Sequence, residues 1–209
     1  MSRTASVIFL VICAWIAPLP AQNGALQLYL TTLIQERLTQ LPAERRLATA
    51  AGGEILSPDL LTLYGRRGFR PIWAAESGIR SEADTLLVLI RNAERHGLDP
   101  ARYHERALSR LLQGRPDRFL SAPVDPDLLT DLDLLLSDAY LVLGLHLAAG
   151  RFNPHDLDAE WFLHKNEADM VTRLNGAAEA GELLADLHRL PPQEPDYHRL
   201  VEAYGYYRQ

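Results

Sequence analysis

Residues 125–150 read DPDLLTDLDLLLSDAYLVLGLHLAAG, and this stretch decides the fold class. Asp125 stands directly before Pro126, and Gly150 closes the run. An aspartate oxygen accepts an orphan N–H at a helix start, and proline in the first helical position loses no hydrogen bond. Leu128, Leu129, Leu132, Leu135, Leu136, Ala139, Val142 and Leu143 recur at helical spacing, with Asp127, Asp131 and Asp138 near one face. Past Ala139 the run is apolar almost all round. That predicts a central helix near 126–149, buried by its neighbours.

The same punctuation recurs at Ser57-Pro58, Asp99-Pro100 and Asn153-Pro154. Ser81 precedes a segment in which Ala83, Leu86, Leu87, Ile90 and Ala93 share a face, with Glu82 and Asp84 in the first turn and Gly97 as terminator. Further helices are expected over residues 26–41, 43–51, 59–67, 101–113, 167–174, 178–190 and 196–207. Only Phe69 to Trp73 reads as an extended piece. The expected fold is therefore all-α, a compact multi-helix domain with short connections. Residues 22–53 form a helical lead-in with Gly52-Gly53 as its joint, and residues 54–209 form the main domain.

The first 21 residues have the pattern of an export signal. Arg3 supplies a positive start, Ala5 to Ile16 an apolar core, and Pro18 to Ala21 a breaker ending on a small residue. Cleavage is expected after Ala21. The apolar run is short of the roughly 20 residues of a membrane span, so no stable span is expected after cleavage. Cys13, the single cysteine, lies within this leader. An exported chain without it has no thiol and no disulfide. The net charge of −6 argues against nucleic acid as a partner, which calls for dense basic patches.

Catalytic patterns are sparse. The histidines at 96, 104, 146, 155, 164, 188 and 198 lack the spacing of a zinc-binding helix, and neither a metal nor a cofactor is expected. His146 in its apolar surroundings reads as a satisfied core histidine. His96 reads as a cation suited to a helix end. No Gly-x-Ser-x-Gly elbow and no Ser-x-x-Lys occurs, so no catalytic residue is assigned. Paired carboxylates such as Glu54 and Glu160 nominally allow a glycan hydrolase. The glycines around Arg66-Arg67 lack the context of a phosphate loop, and a helix terminator accounts for them.

The phrase Leu63-Tyr64-Gly65-Arg66-Arg67-Gly68-Phe69-Arg70-Pro71-Ile72-Trp73 resembles the opening of the helical scaffold domain of large murein L,D-transpeptidases of Gram-negative bacteria. The similarity continues through Ser81–Asn92, His96-Gly97-Leu98-Asp99-Pro100 and Tyr103. It then runs through Gly150–Pro154 with Trp161, and ends over Leu190-Pro191, Pro195, Tyr197, Leu200 and Tyr207-Arg208. The resemblance implies a periplasmic protein tied to peptidoglycan. Complete members add a catalytic domain whose Ser/Thr-x-Gly-Cys cysteine passes an acyl group between peptide stems. This sequence contains no such motif, so the expectation is a non-catalytic scaffold. Its partner would be peptidoglycan or a transpeptidase catalytic domain, met through a surface shaped by Tyr64, Arg67, Trp73 and Trp161. Arg66 or Arg67 is suited to pairing a stem-peptide carboxylate. A periplasmic adaptor without wall contact is the remaining alternative.

Overall fold

A computed structural model describes residues 24–39, 49, 55, 57–113, 125–152 and 168–208. The signal pattern with Cys13, the Gly52-Gly53 joint, Glu54, Glu160 and Trp161 lie outside the described residues, as does the expected helix over 43–51 apart from Thr49. The architecture is all-α. Helices α1 (Ala25–Thr39), α2 (Leu60–Arg66), α3 (Glu82–Asn92), α4 (Glu105–Gln113), α5 (Pro126–Ala149), α6 (Met170–Ala180) and α7 (Pro195–Tyr207) are joined by 3-10 turns at Ala93–His96, Pro100–Tyr103 and Leu187–Arg189. A two-stranded hairpin, β1 (Ala74–Ala75) with β2 (Gly78–Ile79), follows the stretch read as extended. Its turn needs Gly78, whose φ of 101° most side chains avoid.

Helix α5 is the axis, and α1, α2, α3, α4, α6 and the hairpin all pack against it. Its length and composition would let it cross a membrane, but most of it is buried among the other helices. The burial is distributed differently from the reading of its sequence. Residues 129–141 are buried throughout, including Asp131, Asp133 and Asp138, whereas Leu145 to Ala149 are only half-buried. The acidic half, not the uniformly apolar half, occupies the middle of the core. Apolar periodicity cannot show this, because it scores a carboxylate as solvent-facing whether or not the fold supplies donors for it.

The caps follow the punctuation in part. Asp125 Oδ1 accepts from the Asp127 amide at 2.9 Å, and Asp99 Oδ1 from the Ala101 amide at 3.0 Å. The second cap opens a 3-10 turn, and α4 begins only at Glu105, after His104 takes a left-handed φ of 59°. Ser57 Oγ accepts from the Asp59 amide at 3.1 Å, which forms a turn ahead of α2. The expected break near 175 does not occur. α6 runs through Gly176 and stops at Gly181, φ 71°, so of the segment expected to be helical over 178–190 only 178–180 is α-helix, and the rest holds turns and one 3-10 turn.

Asp125→Ala removes the cap of the axial helix. Urea unfolding should show a loss of about 1 kcal/mol, with the denaturant slope unchanged.

Candidate functional site

Asp133 projects from the middle of α5 and is 0% exposed. Its carboxylate accepts hydrogen bonds from three consecutive backbone amides. These are Ile72 (3.0 and 3.2 Å to the two oxygens), Trp73 (2.8 Å) and Ala74 (2.6 Å). Tyr64, on α2, donates its hydroxyl to Oδ1 at 2.5 Å. Having spent its proton there, the phenol accepts from the Ser137 hydroxyl at 2.8 Å, and Ser137 in turn accepts from Trp73 Nε1 at 3.0 Å. Pro71 contributes no amide, and its fixed φ lies just before the three amides that turn inward. Burial pushes the Asp133 carboxyl above its ordinary range, and the four donors pull it back. Burial and the adjacent Asp133 hold the Tyr64 phenol well above its own.

This geometry corrects the expected surface. Tyr64 and Trp73 are both 0% exposed, so neither can touch a partner. The Trp73 ring packs against Tyr140 with centroids 6.4 Å apart. The aromatic-rich phrase fits the core because each polar tip finds a partner on α5. Asp133 drew no notice in the sequence. The available signal was a fourth aspartate in the apolar run, out of register with Asp127, Asp131 and Asp138.

Two more α5 carboxylates act similarly. Asp138, also 0% exposed, accepts from the Ser57 amide at 2.7 Å and pairs with His104 Nε2 at 2.6 Å. Asp131 pairs with Arg37 of α1, which also reaches Asp127 at 2.5 Å. Both groups of the His104–Asp138 pair are enclosed. Among the described residues, no grouping of three or more His, Cys, Asp or Glu side chains is fit to hold a metal.

Arg67 remains at the surface side of α2. It is half-buried, its Nη1 approaches Asn175 Oδ1 of α6 at 3.5 Å, and its Nε has no partner among the described residues. Burial and the neighbouring Arg70 lower its pKa from the ordinary value. Arg66 Nη1 donates to Thr172 Oγ1 at 3.1 Å.

A cleft of about 190 Å³ opens where α3, α5, the last 3-10 turn and α7 meet. Leu89, Leu143 and Leu187 line it together with His96, His188 and His198. His96 does sit at a helix end, but the fold disfavours its cationic form. Burial, Arg95 and His198 all lower its pKa, and its Nδ1 meets the Tyr197 hydroxyl at 2.8 Å with the rings stacked. His146 is a satisfied histidine as expected, bonded to the Tyr103 hydroxyl at 2.9 Å.

A family model described as a scaffold domain matches residues 58–203. No curated protein and no solved structure matches the chain.

Three outcomes follow from these contacts. Asp133→Asn turns an amide N–H₂ toward backbone donors whichever way it flips, and should cost about 3 kcal/mol or more in urea unfolding. Tyr64→Phe, which keeps the ring, should cost about 1–3 kcal/mol. For His96 the fold favours the neutral ring, so the undocked state binds the proton first as pH falls. Docking of α7 should therefore weaken as pH drops below about 6.5, read as faster amide exchange in α7 at pH 5.5 than at 7.5 after correction for intrinsic rates.

Proposed function

The chain belongs to the scaffold-domain family. On that premise we propose that it is an exported, non-catalytic helical scaffold that supports peptidoglycan cross-linking or remodelling, by binding the wall or by holding a transpeptidase catalytic domain. The observation that carries the reading is the family match over residues 58–203, which spans α2 to most of α7. The leader-like first 21 residues support passage to the periplasm. The inward placement of Asp131, Asp133 and Asp138 supports a framing role, since each is engaged in holding another segment of the chain against α5. Outward, α7 contributes no buried residue and leaves Leu200, Tyr204 and Tyr207 exposed at helical spacing. Such a face suits contact with another protein domain or with sugar rings.

Purified protein, without residues 1–21, should sediment with isolated sacculi well above an unrelated acidic control and should release or join no muropeptides by itself. Cross-linking in the periplasm should capture a cell-wall transpeptidase. Retention no better than the control, together with no such capture, would leave the adaptor without wall contact. Muropeptide turnover by the purified chain would contradict the non-catalytic reading.

A further inference from the structure

The cleft of about 190 Å³ combines leucines from α3, α5 and the last 3-10 turn with the imidazoles of His96, His188 and His198 and the amide of Asn92. No Asp, Glu, Lys or Arg is among the described residues that line it. An ion drawn out of water there would meet no fixed counter-charge, so an uncharged ligand is favoured. Size narrows the choice further. An apolar cavity of roughly 150 Å³ accommodates benzene, so this cleft suits a single six-membered ring with one or two small substituents. Asn92, His188 and His198 are exposed, which leaves the cleft accessible from solvent. Its polar character is set by His96, whose Nδ1 meets the Tyr197 hydroxyl at 2.8 Å. A phenol is the better donor and a neutral imidazole the better acceptor, so the hydroxyl donates and the ring proton sits on Nε2. Burial, reinforced by Arg95 and His198, favours that neutral form. Nε2–H then has no acceptor among the described residues, and the side chain of Asn92, four residues earlier, has no partner among them either.

We propose that this cleft binds a small uncharged phenol, with its ring against Leu89, Leu143 and Leu187 and its hydroxyl shared by His96 Nε2 and the Asn92 amide. A phenolic hydroxyl accepts from the imidazole N–H and donates to the Asn92 carbonyl oxygen, so both polar groups are satisfied by one ligand atom. The flat ring buries its faces on leucine side chains and meets the imidazoles in the offset or edge arrangements that aromatic groups favour. A ring of the same size without the hydroxyl would displace water from those groups and return no hydrogen bond. A carboxylate in its place would lose hydration without gaining a cation. Binding also has a mechanical consequence. The lining runs from Leu143 of α5 to His198 of α7, and α7 buries none of its own residues. A ligand that touches both sides binds only while α7 is docked, and so stabilises the docked form by mass action. This site does not depend on the proposed wall association, and its test does not involve the wall.

The probe is p-cresol, titrated at pH 7.5 into the whole protein while the imidazole Cε1–H signals are followed by NMR. Toluene and p-toluate, which keep the ring and change only the polar group, are titrated alongside. p-Cresol should move the His96 signal saturably, with a dissociation constant on the order of a millimolar, well inside the ceiling for a ligand of so few atoms. Toluene should bind severalfold more weakly and p-toluate weakest of the three. Amide exchange in α7 should slow as p-cresol is added, with the same midpoint. His96→Phe keeps a ring beside Tyr197 and removes both nitrogens, so p-cresol binding should fall to the level of toluene while toluene is unaffected. Should His96→Phe release α7, seen as faster amide exchange there without ligand, Asn92→Ala on the exposed rim replaces it and should weaken p-cresol severalfold but not toluene. N-acetyl-tyrosinamide distinguishes the sources of such a ring. Competition with p-cresol would assign the site to a tyrosine carried on a peptide, and no competition to a free phenol. No saturable shift of His96, p-toluate bound as well as p-cresol, or variants with undiminished p-cresol binding would overturn the proposal. None of these results bears on retention by sacculi, so the scaffold reading stands or falls separately.

Discussion

One carboxylate, buried in the axial helix, holds the fold's least regular segment in place. Asp133 gathers the amides of Ile72, Trp73 and Ala74 and the hydroxyl of Tyr64. An isolated carboxylate in such a place would be prohibitive, and three convergent amides without an acceptor would be nearly so. Each makes the other tolerable. The contact fixes where the chain turns after α2, and so places the hairpin, seats Trp73 on Tyr140 and sets the start of α3.

The same device appears twice more along α5. Asp138 holds the approach to α2 through Ser57 and the approach to α4 through His104. Asp131 holds α1 through Arg37. Leucine packing alone is tolerant of sliding and rotation, because dispersion and burial are nearly indifferent to which leucine meets which. A buried acceptor has one arrangement that satisfies it. The three aspartates thus convert a generic apolar axis into one with addressed attachments for α1, α2, the hairpin and α4.

This economy bears on function. The buried carboxylates of Asp131, Asp133 and Asp138, natural candidates for acid–base chemistry, are engaged in framing the fold. What faces outward is different in kind. It comprises an arginine-rich helix end beside α6, a cleft lined by leucines and imidazoles, and a terminal helix that buries none of its own residues. A rigid interior with distinct outward features is what a member of a scaffold-domain family is expected to offer.

By itself the sequence determined the helical class, the axial helix with its Asp125 cap and Gly150 stop, and the family. These rest on local chemistry, namely capping oxygens, proline's preset φ and apolar spacing, all readable within a few residues. The sequence also located the phrase from Tyr64 to Trp73 as distinctive. It could not say that the phrase points inward, since Tyr64 and Trp73 carry polar tips that suit an interface and a core equally. That choice belongs to Asp133, some 60 residues away along the chain from Trp73. Only the tertiary structure brings the two together, because a buried charge is stable solely where distant donors converge on it.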